Sequence, residues 1–224
     1  MSVYSIELLT LVVALCLMTA QLLVKDKKLF HILFAVFCGS VAMATAKKMT
    51  GDSIGAYQYL IGIGACATCN CFWLLSRSLF RTKHAVSLRH LLFAVGLGLL
   101  MAARQGYFFL SETFAFAHPV LTFSNSIALE LIVMLSSCVL LLSFWEGYRG
   151  LANAKGKEKI SRVWFLAVYA GAVTACKVVV SYAPDNVLLQ ELVITIVTLS
   201  VLISTHFLIK YRSSLVETKL STAK

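Results

Sequence analysis

Charge is scarce in this sequence. Asp, Glu, Lys and Arg make up 13% of its 224 residues, about half the share usual in soluble domains, and only 10 residues are acidic. Proline is scarcer still. The 2 present, Pro119 and Pro184, both stand at the edges of apolar runs, so the broken helices that line many transporter sites are not signalled. Enzyme patterns are missing too. No glycine-rich phosphate loop and no Ser-His-Asp grouping follows a strand-like segment. His31, His84, His90, His118 and His206 never recur at the helical spacing of metal ligands. These absences argue against an enzyme and against a resident metal or cofactor.

What is present is apolar. Hydrophobic residues reach 59% and fall in runs close to the ~20 residues that cross a hydrocarbon core. Seven runs are counted: Ile6 to Val24, Leu29 to Ala46, Gly55 to Ser76, Leu88 to Ala103, Pro119 to Trp145, Val163 to Tyr182, and Val187 to Ile209. The fourth is short and diluted by Gly96 and Gly98. The intervening loops leave no room for a second folded domain. The expectation is an all-α, polytopic seven-transmembrane-helix bundle over residues 1–212, with a short polar tail at 213–224.

The first run lacks the preceding positive charge of a cleaved signal peptide. Lys25, Lys27 and Lys28 follow it instead, which marks a retained helix entering from outside. If the amino terminus is outside, sixteen of the 20 basic residues fall in the inner loops and tail. Lys47, Lys48 and Arg104 lie outside, and Lys177 lies within a span. Positive charge collects on the cytoplasmic side of membrane proteins, so the carboxyl terminus is expected inside. The net charge of +10 and pI of 9.4 then follow from topology and need no nucleic-acid partner. The loop with Arg149, Lys155, Lys157, Lys159 and Arg162 is the surface expected to face anionic lipid or a cytoplasmic partner.

Trp73, Trp145 and Trp164 fall at the same ends of their runs, where indole favours the headgroup boundary. Nearby, "GACATCNCFWLLSRSLFR" places Cys66, Cys69 and Cys71 within six positions. On a regular helix Cys66 and Cys71 point about 140° apart, so the three thiols do not converge on one ion. Gly62, Cys66, Cys69 and Asn70 instead share a face of small side chains suited to close helix packing.

The second half of that stretch, "FWLLSRSLFR", carries a resemblance. Aromatic-Trp-Leu followed by Ser-Arg-Ser-Leu-Phe at the end of the third helix resembles the membrane-embedded sensory half of bacterial AraC-type transcriptional regulators. "FWEGYRGLANAKGKEKISRVWF" is similar to the basic loop between helices five and six of such modules. The resemblance covers residues 6 to 212 in layout and implies a seven-helix sensor in a bacterial inner membrane. Those regulators continue into a helix-turn-helix domain, whereas "KYRSSLVETKLSTAK" after the last run is too short for one. Signalling through the inner loops to a separate regulatory protein is therefore expected, with no direct nucleic-acid binding.

Polar groups within the runs supply the candidate site: Glu130, Lys177, Glu191, Arg104, Gln105 and Asn125. Ionisable residues at membrane depth are costly and tend to face a bundle interior. Glu130 lies 11 residues beyond Pro119, about 16 Å along a helix. One reading makes Lys177 a structural bridge to Glu191 or Asp185. The other is a ligand pocket open to the outside, with Glu130 at its floor. At the level of function, a sensor of a small ligand or of membrane state competes with a small transporter or channel using Glu130, and with an assembly scaffold. Gln21, Asn70 and Asn125 are expected to bond between helices, His206 to be packed, and His118 to cap an interface.

Overall fold

The computed structural model describes residues 3–81, 85–114 and 119–221. Lys83, His84, His118 and Lys224 lie outside the described residues, as does the side chain of Lys219. Among the described residues all regular structure is helical: α1 (Val3–Leu22), α2 (Leu29–Thr50), α3 (Tyr57–Ala65), α4 (Thr68–Phe80), α5 (Leu88–Phe114), α6 (Pro119–Tyr148), α7 (Gly156–Tyr182) and α8 (Val187–Ser221). With α3 and α4 taken as one span, seven helices are long and apolar enough to cross a membrane. A hydrocarbon interior gives backbone groups no water to bond, which leaves the helix as the form these runs adopt. The chain is a multi-pass membrane protein.

The observed helices outrun the apolar runs where polar residues can reach an interface. α2 continues past Ala46 through Lys47 and Lys48, and α5 extends from Ala103 to Phe114. α8 carries on through the expected tail to Ser221.

α2 forms the centre of the bundle, packed against α1, α3, α4 and α8. The ring closes through contacts of α1 with α8, α8 with α7, α7 with α6, and α6 with α4 and α5. Phe34, Cys38, Leu75, Leu79, Val139 and Leu202 are fully enclosed at the core. The seven chain ends formed by α1 finishing, α2 starting, α4 finishing, α5 starting, α6 finishing, α7 starting and α8 finishing share one side, called here the basic end.

The third span is not a regular helix, contrary to expectation. It breaks at Cys66 and Ala67, between α3 and α4. A break inside a membrane frees carbonyls that must find donors. Ser40 of α2 donates to the carbonyl of Gly64 at 2.9 Å and shares a hydrogen bond with Thr68 at 2.8 Å. Thr68 also bonds the carbonyl of Ala65 at 2.8 Å. Gly64 permits this approach, since a Cβ there would stand 2.9 Å from Met43. Gly62, Cys66 and Asn70 are buried against neighbouring helices, while Cys69 turns toward a cavity. Asn70 donates across to the carbonyl of Ala94. All seven cysteines are free thiols.

Candidate functional site

The polar residues named from sequence do not form one pocket. Gln105 accepts a hydrogen bond from Lys47 at 3.1 Å. Glu191 faces Lys48 at 3.9 Å, and Lys48 is held more closely by Glu7 at 2.8 Å. The expected bridge from Lys177 to Glu191 is therefore replaced by one from Lys48. The reason is reach: α2 runs a turn beyond its apolar run and brings both lysines among α1, α3, α5 and α8. Arg104 lies over the ring of Phe108, 4.8 Å from its centroid. Among the described residues its Nε is buried without a hydrogen-bond partner, as is Oδ1 of Asn125, and no interhelical hydrogen bond of Asn125 is seen.

Glu130 is not among the residues that line the described cavities. It is exposed on the bundle's flank, in a stretch of α6 where Phe123, Ile127, Val133 and Met134 are exposed too. Among the described residues no ion pair of Glu130 forms.

Lys177 is exposed and lines an open cavity of about 390 Å³ bordered by five helices. Thr68, Cys69 and Phe72 contribute from α4, Leu140 and Ser143 from α6, and Tyr169, Val173 and Cys176 from α7. Its wall is almost wholly apolar, and no ion pair of Lys177 forms among the described residues. A site of this kind suits a ligand with an apolar body and one polar or acidic end.

Sequence reasoning missed a buried charge cluster. At the basic end Glu146 of α6 is 2% exposed. Arg77 of α4 donates to its Oε1 at 2.5 Å, and Arg81 bonds both its oxygens at 2.7 Å. Arg162 of α7 is also buried. Its guanidinium donates to the carbonyls of Glu146, Gly147, Arg149 and Phe80, and to the Glu158 carboxylate. Gly147 lets α6 and α7 meet closely, since a Cβ there would lie 2.6 Å from the Phe165 ring. Gly150, at φ +82°, turns the chain out of α6 in a conformation that only glycine takes without strain.

Two expectations are corrected by this cluster. Arg162 is a structural cation here, so of the basic loop only Arg149, Lys155, Lys157 and Lys159 are exposed to meet lipid or a partner. Trp73 is 3% exposed and packs edge-on against His90 and Phe93 beneath Arg77. Trp145 and Trp164 are about half exposed, in keeping with an interfacial belt.

The cavity and the cluster are joined through aromatic rings. Phe72 stacks on Tyr169 and Phe165, and Phe165 meets Phe80 edge-on at 5.0 Å. Arg162 lies over Phe80, 4.9 Å from the ring centroid. Among the described residues no group of three or more His, Cys, Asp or Glu is arranged to hold a metal ion. No family model, curated protein or solved structure matches the chain.

Proposed function

We propose that this chain is a sensory or regulatory protein of a cell's inner membrane, with its basic end in the cytoplasm. It binds an apolar ligand bearing a polar or acidic end in the cavity beside Lys177 and signals through the α6–α7 loop to a cytoplasmic partner. The orientation rests on the concentration of Lys and Arg at that end.

One observation carries the reading: the cavity wall and the charged cluster stand on the same three helices. On α4, Cys69 and Phe72 line the cavity and Arg77 and Arg81 hold the cluster. On α6, Ser143 lines the cavity one turn from Glu146. On α7, Tyr169 and Arg162 divide the same roles two turns apart. A ligand that spreads or draws in these helices changes the distances on which the buried ion pairs depend, and the loop they hold carries that change outward. Coupling of this kind needs a ligand with different affinity for the two arrangements. The two stretches that resemble AraC-type sensory modules are the ones that meet in this cluster, which supports their acting as one unit.

The transport reading has no such support, because Glu130 lies on the bundle's flank and not in the cavity. The test is capture in cells by a photo-crosslinking residue at Asn153, with identification by mass spectrometry. The reading expects a protein with a DNA-binding or kinase domain, lost when Lys155, Lys157 and Lys159 are changed to Gln. Capture of nothing but the chain itself would contradict it.

A further inference from the structure

A second, polar cavity of about 600 Å³ opens at the basic end between α1, α2 and α8. Its inner wall is built by Gln21, His31 and His206, one from each helix. Gln21 and His31 are buried, at 5% and 7% exposure. Oε1 of Gln21 meets Nδ1 of His31 at 2.6 Å, and its Nε2 meets Nδ1 of His206 at 3.4 Å. One amide thus holds both rings by the same nitrogen, leaving Nε2 as the remaining polar atom of each. Lys25, Lys28 and Lys210 line the same cavity, with Asp26 as the one carboxylate among the lining residues.

α2 also starts here, at Leu29, with no side chain capping its first amides. The positive end of a helix dipole favours an anion nearby. Three ammonium groups meet one acid at the start of α2, so the cavity carries a surplus of positive charge. Burial of the Gln21–His31 pair makes it a formed site and not only a basic surface.

The geometry points to a phosphate-bearing anion as the occupant of this cavity, recognised by Lys25, Lys28 and Lys210 with the Nε2–H of His206 behind them. The anion comes either as the headgroup of an acidic phospholipid or as a free phosphate compound. The site is separate from the cavity at Lys177 and does not depend on the sensory reading.

The test uses the full chain in two preparations. Inorganic pyrophosphate is titrated calorimetrically into protein held in phosphatidylcholine nanodiscs. Retention of dioleoylphosphatidylglycerol by the detergent-purified protein is followed by native mass spectrometry. Each exposed lysine beside an anion contributes about 1 kcal/mol, so Lys25→Ala with Lys210→Ala is expected to weaken binding about tenfold or more. Asp26→Asn strengthens it, and Lys155→Ala with Lys157→Ala leaves it unchanged. Binding of pyrophosphate alone identifies a free phosphate as the ligand, and binding of the lipid alone identifies a headgroup. Binding of neither probe overturns the proposal, as does equal loss in both lysine pairs. The substituted lysines at 25 and 210 are exposed, and circular dichroism checks that the variants remain folded.

Discussion

Arg77 and Glu146 are 69 residues apart in the chain and form a buried ion pair at 2.5 Å, with 5% and 2% of their side chains exposed. Glu146 is also held by Arg81, whereas Arg77 meets no other carboxylate among the described residues. Removing one member of a buried pair costs roughly 3–5 kcal/mol, because the survivor is left uncompensated. Glu146→Gln is expected to lower stability by about that amount in detergent unfolding, since it strands both Arg77 and Arg81. Lys159→Gln, on the exposed loop, changes it by less than about 0.5 kcal/mol. A Glu146→Gln variant as stable as the parent would remove the cluster from the account.

Gly147 governs how closely α6 and α7 meet. Gly147→Ala places a methyl group against Phe165, and overpacking of this sort costs about 1–3 kcal/mol. The shift also lengthens the contacts of Arg162 with the carbonyls of Glu146 and Gly147. Faster proteolysis of the α6–α7 loop in Gly147→Ala than in Gly171→Ala, where a Cβ meets nothing within 4 Å, is the expected result.

The partners of the lysines are separable by double-mutant cycles. Lys48 and Glu7, at 2.8 Å with the carboxylate side chain 8% exposed, are expected to couple by about 0.5–1 kcal/mol. Lys177 and Glu191 are expected to be additive within about 0.3–0.5 kcal/mol. Strong coupling of the second pair would restore the bridge expected from sequence.

Ser40 holds the break in the third span. Ser40→Ala leaves the Gly64 carbonyl without its donor inside the bundle, at a cost of about 1–3 kcal/mol. The loss is expected to appear as faster amide exchange between residues 64 and 70, with α6 and α8 unaffected. Uniform exchange across all helices would mean that Ser40 acts on the whole bundle.

The seven spans were legible because lipid ties span length to run length, and a run of apolar residues has one outcome there. The ends of α2, α5 and α8 were not, because Lys47, Lys48 and Arg104 continue a helix into a region where water or a neighbour can satisfy them. The break at Cys66 was hidden for a different reason. Its stabilising hydroxyl belongs to Ser40, 24 residues earlier than Gly64, and nothing local marks it. Glu146 sits at the edge of a run and reads as a loop charge, and its two arginines lie 65 and 69 positions away. Glu130 shows the opposite error. A count of residues from Pro119 gives a distance along the helix, but it does not say which side of the helix faces the bundle.

The claim at the centre of this account is that the cavity beside Lys177 and the loop beyond Glu146 respond to one another. Ala172 lines the cavity, and Ala172→Phe fills part of its 390 Å³ without touching the cluster. Hydrogen exchange of residues 148–160, compared between parent and Ala172→Phe in nanodiscs, is the direct measurement. The account predicts an exchange rate in that loop changed severalfold, with the α1–α2 turn unchanged. Identical exchange in the loop, in a variant whose cavity is filled and whose fold is intact, would contradict it.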